Sequence, residues 1–217
     1  MKNKSEKQKS TLLKDAIALF LITLVSGLAL SYVYEITKAP IEEQHIAKKL
    51  KANQTVFVEA STFTLDEALM DLAASTDLVS LNAIYEGITV DEISQAFNSS
   101  NEAIGYNITV TTTTGYKDPI TMVFGYSKDG VIQGLEMLSI NETAGLGMNA
   151  KNPDFIDQFV GKNVNQFETT KIGATADNQI DAISGATITS DAVVNAVNTG
   201  IGFITEYATD LGGGQNE

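Results

Sequence analysis

The 217-residue chain contains no cysteine. Disulfides, thiolate metal sites, Cys-ligated iron–sulfur clusters, attached c-type haem and catalytic thiols are thereby excluded. So is a lipoprotein anchor, which needs an acylated cysteine. Histidine occurs once, at His45, on what reads as a solvated helix face. One imidazole is too few for a His-rich metal site, and the distal part of the chain has none for a Ser-His-Asp triad. No metal ligand and no catalytic residue is therefore assigned. Tryptophan is absent, and all 14 basic residues are lysine. The formal net charge of −13 repels phosphate backbones and argues against a nucleic-acid partner. Side chains alone supply little chemistry here.

Apolar residues make up 43% of the chain, enough for a packed core. Residues 16–34, AIALFLITLVSGLALSYVY, carry no charge. As a helix they span about 28 Å, close to the hydrocarbon thickness of a bilayer. Tyr32 and Tyr34 fall at one end, where aromatic residues favour the interface. Lys2, Lys4, Lys7, Lys9 and Lys14 precede the run, which places the N-terminus in the cytoplasm and the rest outside. From residue 39 onward there are 8 Lys against 24 Asp and Glu, so the exported part carries the acidity. A cleaved signal peptide is the alternative. The run is long for one, and the flank YEITKAPI offers no clear cleavage site.

The expected organisation is a cytoplasmic N-terminus (1–15), a membrane span (16–34), a stalk helix and linker (35–58), one folded domain (59–207) and a flexible tail (208–217). Pro40 is expected in the first turn of a new helix, IEEQHIAKKLKAN. Thr64 with Glu67, and Thr89 with Glu92, spell capping boxes that predict two short helices. IGYNITVT alternates like a strand; GYKDP turns the chain; ITMVFGYS and VIQGLEMLSI follow as strands around the KDG turn, giving an antiparallel meander. NPDFIDQFVGK has the cap, the N1 proline and the terminal glycine of a helix, and NQFETTKI reads as a strand. The last helix is expected to start near Ser190, with Val193, Val197, Ile201, Ile204 and Tyr207 on one stripe and Gly200 and Gly202 weakening it. The fold class is α+β: one N-terminal transmembrane helix, then an extracytoplasmic domain with a twisted antiparallel sheet flanked by helices.

The segment DAISGAT, residues 181–187, precedes that last helix. Gly185 and Ala186 leave little bulk around the Thr187 hydroxyl, and a helix start offers unpaired N–H groups that favour a phosphate. On physical grounds alone, a small-residue turn followed by an N-cap explains the same letters.

DAISGATIT resembles the Asp-x-x-Ser/Thr-Gly-Ala-Thr signature of domains that carry FMN through a phosphoester to threonine. Such domains occur in the G subunit of the Rnf electron-transport complex and in the C subunit of the Na⁺-translocating NADH:quinone reductase. Asp181, Ser184, Gly185 and Ala186 match the element read by a flavin transferase, and Thr187 matches the acceptor. Thr189, at the expected helix cap, joins the candidate cofactor-binding residues. ETAGLG, residues 142–147, resembles the Glu-Thr-Pro-Gly-Leu-Gly of the same family and adds Glu142, Thr143, Gly145, Leu146 and Gly147. Ala144 replaces the usual proline, and Asn141 stands where many members have lysine. The meander, the FIDQFVGK helix and the YEITKAPI exit also look like the pattern of the Rnf G subunit, so the resemblance covers about residues 15–207.

The resemblance implies an electron-carrying flavoprotein subunit of a membrane-bound, Rnf-type ion-translocating ferredoxin:NAD⁺ oxidoreductase, with covalent FMN and no independent catalytic activity. Its partners would be the membrane and iron–sulfur subunits, a flavin transferase during maturation, and the lipid bilayer. The short length favours the Rnf protein over its counterpart in the quinone reductase. A reading from a different class is a membrane-anchored binding or scaffold module that carries no flavin.

Overall fold

The computed structural model of the protein describes residues 2–208, with side chains from residue 14 onward except those at 42 and 45. The expectations for the His45 side chain, for the lysines at 2–9 and for the tail from 209 lie outside the described residues. The chain divides into two compact units, Met1–Ala47 and Lys48–Glu217.

Helix α1, Lys2–Val56, contains the uncharged run and is long and apolar enough to cross a bilayer. Leu19, Phe20, Ile22, Leu28 and Leu30 are all exposed. Thr23 satisfies its hydroxyl within the helix by donating to the carbonyls of Leu19 and Phe20. Pro40 lies inside α1 and does not start a second helix. A proline removes only its own N–H bond, and the strong helix formers of IEEQHIAKKLKA carry the helix onward.

The second unit is α+β. Strands β1 (Thr62–Leu65), β2 (Ile88–Phe97), β3 (Ala103–Thr112), β4 (Ile120–Ser127) and β5 (Ile132–Ser139) form one antiparallel sheet in chain order. Between β1 and β2 lie α2 (Glu67–Ser75), the single turn α3 (Leu78–Leu81) and a 3-10 turn. After β5 come a 3-10 turn at Gly147–Lys151, α4 (Pro153–Ile156), the parallel pair β6 (Glu168–Thr170) and β7 (Gln179–Asp181), and α5 (Thr187–Tyr207).

Alternation along the strands places two apolar faces. Ile93, Ile108, Met122 and Phe124 face α5 and share a core with its Val193, Val197, Ile201 and Ile204. Val123 and Leu138 point the other way and pack with Ala52 and Val56 at the end of α1. Gly200 and Gly202 lower helix propensity but mark close approaches: a Cβ at either would stand 2.6 Å from the Phe124 ring or 2.2 Å from the Tyr85 hydroxyl.

Two expectations at the capping boxes are corrected. Helix α2 forms where expected, but its cap is Asp66, whose Oδ1 accepts from the Leu69 amide at 3.1 Å; Thr64 belongs to β1. The second box is not a helix start at all, because ITVDEISQAF is β2. Ile93 and Ala96 are fully buried in register with β3, and this pairing overrides the local signal. Asp91 occupies a bulge between Val90 and Glu92, where the Thr89 and Thr111 hydroxyls donate to its carboxylate at 2.7 and 2.5 Å. Glu92 is spent on an ion pair with Lys49. The FIDQFVGK helix is shorter than its spelling, ending at Ile156 and continuing as turns to Gly161. Phe155, Phe159 and Phe167 stack edge-on there, with ring centroids 5.7 and 5.1 Å apart.

Candidate functional site

Strands β3 and β5 run in the same direction, so the segments that follow them emerge at one end of the sheet. The segment after β3 carries Tyr116, and the segment after β5 carries Glu142–Gly147. Both meet the start of α5. Between them is a cleft of about 530 Å³ lined by Tyr116, Glu142, Thr143, Leu146, Gly147, Gly185, Ala186, Thr187, Ile188 and Thr189. This lies within the ~300–1,000 Å³ typical of small-molecule sites.

Two matching turns build the walls. The Leu146 amide donates to the Thr143 carbonyl at 3.1 Å, and the Ala186 amide donates to the Ile183 carbonyl at 2.9 Å. In each, glycine is the third residue: Gly145 has φ +76° and Gly185 has φ +75°. That sign of φ is what the third position of a type II turn demands. The first turn therefore forms with Ala144 at its second position.

Ser190 locks the second turn. Its hydroxyl accepts from the Ile183 amide and donates to the Ala186 carbonyl, both at 3.0 Å, and the residue is fully buried. Helix α5 begins at Thr187, not near Ser190, since the Ser190 amide already bonds the Ala186 carbonyl at 3.0 Å. Thr189 and Ser190 are thus inside the helix and buried, not its cap. Ala186 occupies the cap position and supplies no side-chain hydrogen bond. The amides of the first turn have no acceptor among the described residues and are left for another one. Thr187, half-buried, holds its hydroxyl at this uncapped end.

Glu142 forms the floor and is buried. Its Oε1 accepts from the backbone amides of Tyr116 and Lys117 at 2.8 and 3.3 Å, tying the two loops together. Its Oε2 is shielded from water and has no hydrogen-bond partner among the described residues. Gly147 makes room behind it: a Cβ there would stand 2.7 Å from Thr189 Oγ1 and 2.9 Å from Glu142 Oε2. Leu146, Ile188 and Tyr116 give the mouth an exposed apolar rim.

The fold brings most of the residues singled out from sequence to this cleft. Asp181, Ser184 and Gly145 are the exceptions; all three are exposed and none lines it. Asp181 ends β7, where its amide donates to Gln158 Oε1 at 2.6 Å. It borders a second, polar cleft with Asp154, Gln158, Lys162 and Asp177. There Lys162 bonds Asp177 at 2.5 Å and holds that carboxyl below its ordinary pKa. Tyr116 and Ile188 line the main cleft without having been singled out. Tyr116 stood in a turn sequence that gave no sign of a site, while Ile188 adjoins the motif. No group of His, Cys, Asp and Glu able to hold a metal occurs among the described residues.

The family described as FMN-binding domain matches residues 115–202, a span that includes both turns, Glu142 and most of α5. The chain is 31% identical over 192 residues to the G subunit of the Na(+)-translocating ferredoxin:NAD(+) oxidoreductase complex of Acetobacterium woodii, covering 87% of this chain and 89% of that one. It is 28% identical over 193 residues to the G subunit of the ion-translocating oxidoreductase complex of Methanosarcina acetivorans, covering 88% and 94%. Among solved structures, the C subunit of the Na(+)-translocating NADH-quinone reductase of Parabacteroides distasonis is similar with a TM-score of 0.48 and 21% identity, covering 72% of this chain and 80% of that one. By its likeness to the Acetobacterium protein over nearly the whole length of both, the chain belongs to the family of G subunits of ion-translocating oxidoreductase complexes.

Proposed function

We propose that this chain is the electron-carrying flavoprotein subunit of a membrane-bound, ion-translocating ferredoxin:NAD⁺ oxidoreductase, with FMN joined by a phosphoester to Thr187. The observation that carries the reading is the position of Thr187: a hydroxyl on the first residue of a long helix with no side-chain cap, opening on a cleft of about 530 Å³. Flavin, when bound, supplies the redox chemistry.

The residues present fit that group. The unpaired amides at the start of α5 suit a phosphate. Glu142 Oε2 is a buried acceptor without a partner, suited to an N–H or O–H donor of the ring or the ribityl chain. Gly147 and Gly185 keep the walls clear of side chains, and Leu146, Ile188 and Tyr116 offer apolar surface to a flat ring. Asp181 and Ser184, exposed beside the acceptor and outside the cleft, are free to be read by a flavin transferase. Covalent attachment suits a domain outside the cytoplasm, where a dissociating cofactor is lost by dilution. Helix α1 is the membrane anchor, with the N-terminus cytoplasmic and the flavin domain on the other side. Iron–sulfur partners supply the clusters that a cysteine-free chain cannot hold.

The test is co-expression of the full chain with a flavin transferase, followed by denaturing electrophoresis and in-gel flavin fluorescence. Thr187→Ala is expected to abolish the fluorescent band and Thr189→Ala to retain it. A band that survives Thr187→Ala moves the attachment point. No band from the unaltered chain with active transferase supports the flavin-free scaffold.

A further inference from the structure

Among the described residues, Glu142 is the one charged side chain lining the main cleft. It is 5% exposed, its Oε1 is fixed by two backbone amides, and its Oε2 is shielded from solvent and has no hydrogen-bond partner among the described residues. Among the described residues no lysine lines the cleft, and the opposite wall is Gly185, Ala186 and threonine. A flavin ring in this cleft therefore lies near a negative charge that solvent does not screen.

We infer that Glu142 holds the reduction potential of the flavin low. The inference rests on the cleft being the FMN site. Two-electron reduction with uptake of one proton adds one negative charge to the ring system, with the electrons coming from a reduced redox partner in the complex. A like charge nearby in a medium of low dielectric disfavours that product far more than it would in water. Removing the charge raises the potential. Asp118 provides a contrast: it sits in the neighbouring loop, its side chain is 46% exposed and it accepts from Asn141 at 2.6 Å, so water screens it.

The experiment is a potentiometric titration of the full chain in detergent, loaded by co-expression with a flavin transferase. Dithionite supplies the electrons through mediator dyes, and the flavin absorbance is followed. Glu142→Gln keeps a carbonyl acceptor for the Tyr116 and Lys117 amides while removing the charge. It is expected to shift the ratio of reduced to oxidised flavin at a fixed potential by tenfold or more, ~30 mV upward for a two-electron couple. Asp118→Asn is expected to move it by much less. Should Glu142→Gln fail to fold or load, Thr143→Lys, which sets a cation on the exposed cleft wall, must raise the potential in its place. Loaded Glu142→Gln with an unmoved or lowered potential overturns the inference and leaves the FMN reading standing. An equal shift in Asp118→Asn overturns it too, since overall charge then explains the effect. Unaltered chain that carries no flavin by mass overturns the FMN reading, and the inference with it.

Discussion

Ser190→Ala isolates the contact that shapes the DAISGAT turn. In the folded chain one hydroxyl serves two groups, accepting from the Ile183 amide and donating to the Ala186 carbonyl. Alanine removes both bonds but orphans only one group. The Ala186 carbonyl still receives the Ser190 backbone amide at 3.0 Å, whereas the half-buried Ile183 amide has no other acceptor among the described residues. Leaving a buried donor unpaired costs ~1–3 kcal/mol. Alanine regains about 0.5 kcal/mol of helix propensity over serine. The net loss is thus roughly 0.5–2.5 kcal/mol, and at about 2–4 °C per kcal/mol for a domain of this size Tm falls by roughly 1–10 °C. The assay is a far-UV circular dichroism melt of the full chain in detergent, with hydrogen exchange read at single amides. Ile183 is expected to lose protection while the amides of Val193–Ile204 keep theirs. An unchanged Tm together with an unchanged Ile183 rate refutes the role of Ser190.

Ala144→Pro is expected to stabilise the protein by ~0.4–1 kcal/mol, because Ala144 occupies the turn position where proline is favoured; a lowered denaturation midpoint contradicts the turn assigned to Thr143–Leu146. Gly147→Ala places a Cβ against Thr189 Oγ1 and Glu142, and such overpacking is expected to lower stability by ~1–3 kcal/mol in urea titrations. Burial raises the pKa of the Tyr85 phenol above its ordinary value of 10.0. A folded-state pKa above the unfolded one means that its contribution is intact below about pH 10 and is lost as pH rises through the folded value. Urea midpoints taken from about pH 8 to 11 should fall at the alkaline end, and Tyr85→Phe should flatten that fall.

Strands β3, β4 and β5 were legible because alternation, turn residues and strand length agreed, and their observed bounds follow those patterns closely. Strand β2 was not. Thr89 and Glu92 have the spacing of a capping box, yet the bulge at Asp91 is fixed by Thr111 from the neighbouring strand, a partner that no local window contains. The start of α5 was misplaced for a related reason. Thr189 and Ser190 look like caps because their hydroxyls compete for backbone groups. In the fold, Ser190 uses its hydroxyl from inside the helix to hold the turn before it. The two glycine-bearing segments of the cleft were legible one by one. That Glu142 bonds the loop of Tyr116, and that its second oxygen is left without a partner, depends on strands pairing in three dimensions.

The flavoprotein reading stands on a single bond at Thr187. No lysine or arginine lies between Lys171 and residue 217, so trypsin places Thr187 in a peptide that begins at Ile172, and fragmentation mass spectrometry of that peptide reads the bond itself. In cells that make a flavin transferase, the peptide should carry the mass of one FMN less one water, with fragment ions confining the addition to Thr187. An unmodified peptide from such cells, or an addition on Thr189, contradicts the account.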